Sequence, residues 1–233
     1  MTLGIPKRLG HIWIGPLEPP LAWMETWRSH HPDWDYTLYD NATLTGRKWR
    51  SQRQITEYFR RGRFEGVADL MRYELLLENG GVIADADSIC LRPTDELWQE
   101  PHLYACYEHE TLKPGNVSPF IASAPGHPFL ERVVERLSHM KLFNLKDPWQ
   151  TTGNMFLRRY IAKHSPERIT FFPHHYFNPT FKNRIPYEGD GPVYADQKWG
   201  TTTGSYAEVC APTSAEERGE RHAAVLSALE SHL

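Results

Sequence analysis

Cysteine is scarce in this chain. Cys90, Cys106 and Cys210 are too few and too far apart in 233 residues for a disulfide framework or a Cys/His zinc site. An odd, small count suits a reducing compartment. No apolar run approaches the ~20 residues that cross a bilayer, and the N-terminus lacks the apolar segment of a signal peptide. The expectation is a cytoplasmic protein, peripheral if it works at a membrane. No glycine-rich loop near the start offers a backbone cradle for phosphate, which argues against a nucleotidyltransferase. Charge of one sign is also missing: 26 Lys and Arg face 29 Asp and Glu, a net charge of −3. That balance gives no general attraction for nucleic acid. Two basic clusters, Arg47-Lys48-Trp49-Arg50 and Arg60-Arg61-Gly62-Arg63, read as solvated surface that could steer an anionic substrate. Internal repeats, low-complexity tracts and linkers are absent, so one domain over 1–233 is expected.

Aromatics are abundant, with 8 Trp, 11 Tyr and 10 Phe. They build cores first, and they also stack on bases and sugar faces. The chain is organised around Gly66 to Asp87. Val67, Leu70, Met71, Leu75 and Leu77 recur at helical spacing. Gly80-Gly81 stops that helix, because glycine takes the left-handed cap conformation without a Cβ clash. Val82-Ile83-Ala84 then suits a buried strand, and a strand period places Asp85 and Asp87 on one side of the chain. Two carboxylates at the end of a buried strand are costly unless a positive partner answers them. Mg²⁺ and Mn²⁺ prefer oxygen ligands, and Mg²⁺ commonly takes one or two carboxylates together with substrate phosphates.

Around this centre the pattern is α/β. His11-Ile12-Trp13-Ile14 predicts a strand, with His11 and Trp13 on the side away from Ile12 and Ile14. Leu21 to Ser29 predicts a helix and Asp33 to Asp40 a second strand, a βαβ opening. Residues 42 to 63 predict surface helices. Leu103 to Tyr107 and Val117 to Ser123 predict strands, and Pro128 starts a helix. Thr151 to Ala162 predicts another helix and Arg168 to Phe172 a late strand. Pro173 to Gly204 has loop composition, of the kind that covers a site. Ser214 to Leu233 predicts a closing helix. His174-His175 lacks a second ligand pair at zinc spacing and is read as loop surface. Asn116, Thr152 and Asn154 are read as turn chemistry, and Cys90 as a small buried filler.

Three segments together resemble the DXD sugar transferases of glycosyltransferase family 32 and the glucosyltransferase domain of large clostridial toxins. They are Ile5-Pro6-Lys7-Arg8-Leu9-Gly10-His11-Ile12-Trp13-Ile14-Gly15, then Trp27…Pro32-Asp33-Trp34…Tyr39-Asp40, then Ala68-Asp69-Leu70-Met71-Arg72-Tyr73…Gly80-Gly81-Val82-Ile83-Ala84-Asp85-Ala86-Asp87. The likeness covers roughly residues 5 to 95. It implies a single GT-A domain: core motifs over 5–95, an acceptor side with covering loops over 110–206, and a C-terminal helix over 214–233. It also implies retaining transfer from a nucleoside-diphosphate sugar, with Mn²⁺ or Mg²⁺, to a glycan, lipid-linked glycan or protein. By position Asp87 would bind the metal directly, while Asp85 would hold the ribose and the metal's water shell. Trp13 would stack on the donor base, and Asp69 and Arg72 would contact the donor sugar, Arg72 also the phosphate. The sequence departs from the pattern at Gly10, where the opening histidine falls, and at Ile83, where a tyrosine is usual. It departs again at Gln197, which replaces a histidine in a late A-x-H-x-W segment. A sugar-nucleotide hydrolase and a degenerate, non-catalytic carbohydrate binder are the rival readings.

Overall fold

The computed structural model describes residues 3–164, 166–181 and 185–233. The expected loop at 182–184 therefore lies outside the described residues. The chain opens with β1 (Arg8–Ile12), α1 (Leu21–His30) and β2 (Asp35–Tyr39), the anticipated βαβ unit. Then come α2 (Asn41–Thr45), α3 (Gln52–Arg60) and the central helix α4 (Phe64–Asn79). The strands β3 (Gly81–Ala84), β4 (Ser88–Cys90), β5 (Leu103–Cys106) and β6 (Ala122–Ser123) follow. The remainder is α5 (Pro128–Ser138), α6 (Pro148–Thr151), α7 (Asn154–His164), β7 (Ile169–Phe172), β8 (Ala195–Gln197), α8 (Gly200–Thr203), α9 (Tyr206–Val209) and α10 (Ala215–Glu230).

Six strands form one sheet in the order β2-β1-β3-β6-β5-β7, and β4 pairs with β8 beside it. β1 runs parallel to β2 and β3, and β5 runs parallel to β7. Within the six-stranded sheet, β6 is antiparallel to its neighbours β3 and β5. The carboxyl ends of β1, β3, β5 and β7 thus share one edge, where open α/β sheets bind ligands. Period two divides β3 between two cores. Ile83 packs with α3, α4 and α5, while Val82 and Ala84 pack with Trp27 of α1, Trp98 and Tyr104.

α4 is buried on nearly every side. Even its Glu74 is enclosed, and its carboxylate accepts from the backbone N–H groups of Arg50 and Ser51 at 2.8 Å each, at the start of α3. That bond corrects the expectation for residues 42–63: α3 turns Ile55, Tyr58 and Phe59 into the core and is no surface helix. The strand expected over 117–123 shortens to Ala122–Ser123, because Val117 forms only an isolated bridge to Tyr107. The helix expected over 151–162 divides at Thr152-Gly153, where the chain passes against Asp69: a Cβ on Gly153 would lie 3.3 Å from that carboxylate. β1 ends at Ile12, so Trp13 stands just past the strand.

Gly80 and Gly81 make the turn from α4 into β3. Their φ values are +63° and +88°. A Cβ on Gly81 would sit 2.5 Å from the carbonyl oxygen of Arg8. Gly81→Ala is therefore expected to lose on the order of 1–3 kcal/mol to backbone strain alone, with the clash adding to it. Urea unfolding measures this, and an unchanged midpoint would contradict the geometry.

Candidate functional site

The strand period fails at the two aspartates, and the reason is local. β3 stops at Ala84, and Asp85–Asp87 forms a turn closed by Ser88, whose N–H and hydroxyl both donate to the Asp85 carbonyl at 3.1 and 2.7 Å. In a turn the two carboxylates no longer share a side. Asp85 faces α4, where the Arg72 guanidinium makes a short ion pair with it. Asp87 faces the late segment that contains β8 and α8. Gln197 Nε2 donates to its Oδ1 at 2.6 Å, and the Gly200 N–H donates to its Oδ2 at 2.8 Å.

Arg72 is only 6% exposed, whereas its sequence position suggested a side chain pointing away from the apolar face. Its Nη1 donates to the Ile83 carbonyl at 2.8 Å, and its Nε has no partner. Asp69 and Arg72 lie one turn apart, yet Asp69 takes its hydrogen bond from the Thr152 hydroxyl at 2.7 Å. Burial pushes the Asp69 carboxyl up to about 7, against the opposing pull of Thr152 and Arg72. Burial, and then the neighbouring Asp85, pushes Asp87 up to about 6, against its bonds from Gly200 and Gln197. Both aspartates thus sit where negative charge is poorly solvated. The residues at the turn fit a hard divalent cation. Asp85 and Asp87 would supply carboxylate oxygens, and a cation would relieve the like charge by which Asp85 raises Asp87.

Trp13 is half-buried. Its indole N–H donates to the Leu17 carbonyl at 2.8 Å, and its ring meets Tyr206 edge-on at 4.9 Å between centroids. Gly10 is explained by its neighbour, since a Cβ there would lie 2.5 Å from the Tyr39 ring. The histidine one place later, His11, pairs in register with Ala84 and is fully buried, with its Nδ1 3.1 Å from the Tyr36 hydroxyl. Burial, and then the Arg72 charge, takes its pKa down to about 3, so it is neutral.

The covering segment closes tightly over the turn. Trp199 holds a left-handed backbone (φ 55°) and hydrogen-bonds the Thr180 carbonyl at 2.9 Å. The space beside Asp85, between Trp27, Ile121, Ala195 and Gln197, is about 30 Å³. Small-molecule sites are typically at least ~300 Å³, so a ligand of nucleotide size needs this segment to move.

Other polar groups gather at the same sheet edge without a sequence signal of their own. Glu108, just past β5, is buried and accepts from Asn116 and Asn154 at 3.1 and 3.2 Å. Those two asparagines therefore serve a carboxylate and not merely a turn. His174, read above as loop surface, ion-pairs with Glu110. His109 stacks on it, and the three offer ligand atoms within 4.8 Å of one another. The ligand partners that His174 lacked in sequence come from 64 positions earlier, through the parallel pairing of β5 and β7.

Comparison with known proteins adds four findings. Residues 21–104 match the family described as "Glycosyltransferase sugar-binding region containing DXD motif". Inositol phosphoceramide mannosyltransferase 3 of Schizosaccharomyces pombe is 30% identical over 168 residues, covering 67% of this chain and 44% of that protein. Mannosyl phosphorylinositol ceramide synthase CSH1 of Saccharomyces cerevisiae is 29% identical over 132 residues, covering 54% of this chain and 34% of that protein. The chain thus spans less than half the length of these relatives. The solved structure titled PaToxG Glycosyltransferase superposes with a TM-score of 0.56 at 12% identity, over 68% of each chain. That likeness bears out the expected GT-A fold.

The electrostatics of Asp69 give a pH test on the protein without ligand. Its folded pKa of about 7 lies above the unfolded carboxylate value of ~3.9. The stability this group contributes is full below about pH 4 and is lost as pH rises through 7. Asp69→Asn stays neutral throughout. The melting temperature of the variant should therefore gain on the wild type between pH 5 and pH 8. Scanning fluorimetry at both values checks it, and a pH-independent difference would contradict the burial of that charge.

Proposed function

From the match of residues 21–104 to the family of glycosyltransferase sugar-binding regions that contain a DXD motif, we propose that the chain is a retaining, divalent-cation-dependent transferase that moves a sugar from a nucleoside-diphosphate sugar to a hydroxyl acceptor. One observation carries the reading: Arg72, Asp85 and Asp87 converge at the carboxyl edge of the parallel strands, two of them locked to each other and the third under a covering segment. A pyrophosphate leaving group needs positive charge where the glycosidic bond breaks. Held by Asp87, Mn²⁺ or Mg²⁺ would supply Lewis-acid stabilisation of that leaving group.

The chain's own residues take the remaining roles. Asp87 is the direct metal ligand. Asp85, oriented by Arg72, holds the ribose and the metal's water shell. Arg72 adds fixed positive charge close to the phosphates, and Asp69 accepts from donor-sugar hydroxyls. Trp13, just past the end of β1, forms one wall of the base site. The bond from the anomeric carbon to the phosphate oxygen breaks, and a bond from the same carbon to the acceptor oxygen forms. The acceptor's proton passes to the leaving phosphate on the same face. This route needs no side-chain base, in keeping with the engagement of Asp69, Asp85, Asp87 and Glu108 by protein donors. The relatives are named for mannose transfer to inositol phosphoceramide, which supports a mannosyl donor and a phosphorylated lipid acceptor among the acceptor classes.

The test is a panel of nucleoside-diphosphate sugars, mannosyl donors included, assayed with Mn²⁺ for release of nucleoside diphosphate. Proton NMR of the product reads the anomeric configuration. Retained configuration supports the reading, while an inverted product or release of a nucleoside monophosphate contradicts it. Trp13→Ala should weaken nucleoside-diphosphate binding by roughly ten- to a hundredfold, from a stacking contribution of about 1–3 kcal/mol, and Trp13→Phe should recover much of it. Calorimetric titration of the folded variants decides. Unchanged affinity in a stable Trp13→Ala protein would remove Trp13 from the base site.

A further inference from the structure

A cavity away from the aspartates is lined with cations. It measures about 540 Å³ and is lined by Arg136, Lys141, Lys146, Arg159 and Lys163. A groove of about 440 Å³ adjoins it, sharing His139, Met140 and Lys141 and adding Arg53. No acidic side chain lines either one. Several arginines elsewhere on the chain are paired with carboxylates: Arg47 with Glu78, Arg50 with Glu131, Arg60 and Arg61 with Glu57, Arg63 with Asp147. Among the described residues the six cations of this face show no such pair. In a chain of net charge −3, six exposed cations without a facing carboxylate make a segregated positive field.

An apolar group stands in the same face. Phe143, between α5 and α6, is 77% exposed, with the Lys141 ammonium 5.7 Å from its ring. A soluble anion would be held by the cations alone and would leave Phe143 in water. A surface that combines phosphate with an apolar layer beneath it accounts for both.

We propose that this face docks the protein on an anionic phospholipid bilayer, with lipid phosphates in the cation-lined cavity and Phe143 inserted at the headgroup level. The proposal does not use the transfer chemistry. Its test needs neither donor nor metal, so its failure would leave the transferase reading intact.

The experiment is co-sedimentation with vesicles of phosphatidylcholine alone and of a phosphatidylserine-rich mixture. The wild type should partition onto the anionic vesicles, lose most of that binding in high salt, and stay off the neutral ones. Lys141→Gln/Lys146→Gln/Lys163→Gln should lower the partition coefficient about a hundredfold, at roughly fivefold per neutralised cation. Phe143→Ser should lower it several-fold with no change of charge. Lys113→Gln, a half-buried cation outside this face, should bind as the wild type does. Melting temperatures confirm that each variant is folded. Equal binding to neutral vesicles, or an unaffected triple variant, would overturn the proposal. So would a Phe143→Ser protein that binds vesicles normally, and soluble inositol hexakisphosphate binding tightly in wild type and Phe143→Ser alike would reassign the face to soluble polyanions.

Discussion

The Arg72 guanidinium joins the central helix to the end of the strand beside it. One nitrogen holds the Ile83 carbonyl and another holds the Asp85 carboxylate, while α4 is enclosed on nearly all sides. A charge buried to this depth is tolerated only when paired. The pairing therefore decides where β3 stops and which way the turn after it leaves. Asp87 is placed by that turn, and the β4–β8 ladder that follows brings the covering segment across it. Removing the guanidinium would leave Asp85 half-buried without its cation and release the turn. Arg72 is thus a structural residue as well as a member of the proposed site, and stability and activity should be read together in any variant of it.

Around that lock the field is divided. At the carboxyl edge of the sheet Asp69 and Asp87 are both raised by burial, so the site without ligand carries more negative charge than its surroundings solvate. The Gly200 N–H and the Gln197 amide meet part of that need by folding over Asp87. A cation with its phosphates would meet the rest and would compete with these same donors for the carboxylate. In the proposed site, binding and opening of the covering segment would in this way be coupled through a single side chain. The unpaired cations lie on another part of the molecule, around α5 and α7, so they cannot offset the aspartates.

Much of this was legible in the sequence where the local rule and the tertiary context agree. The α4 period, the Gly80-Gly81 stop and the short apolar strand gave the helix–strand unit, and the ordered motifs of 5–95 gave the GT-A fold. The sequence misled where a long-range partner overrode a local pattern. Asp85 and Asp87 leave the strand period because Ser88 closes a turn beneath them. Arg72 turns inward because the β3 carbonyl edge and Asp85 are there to receive it. α3 is buried because Glu74, a charged residue on another helix, caps its start. Glu108 with Asn116 and Asn154, and His174 with His109 and Glu110, had no signal in spacing, since only the tertiary fold brings them together. Gly10 in place of a histidine becomes intelligible only with the Tyr39 ring against it.

The central claim is that the turn at Asp85–Asp87 binds a nucleoside diphosphate through a divalent cation. The most direct measurement is calorimetric titration of nucleoside diphosphate into the wild type and Asp87→Asn, each with Mn²⁺ and with excess chelator. The account predicts that Mn²⁺ strengthens binding to the wild type at least about tenfold, worth ~1.4 kcal/mol, and leaves Asp87→Asn unchanged. Equal affinity of the wild type with and without the cation would contradict it.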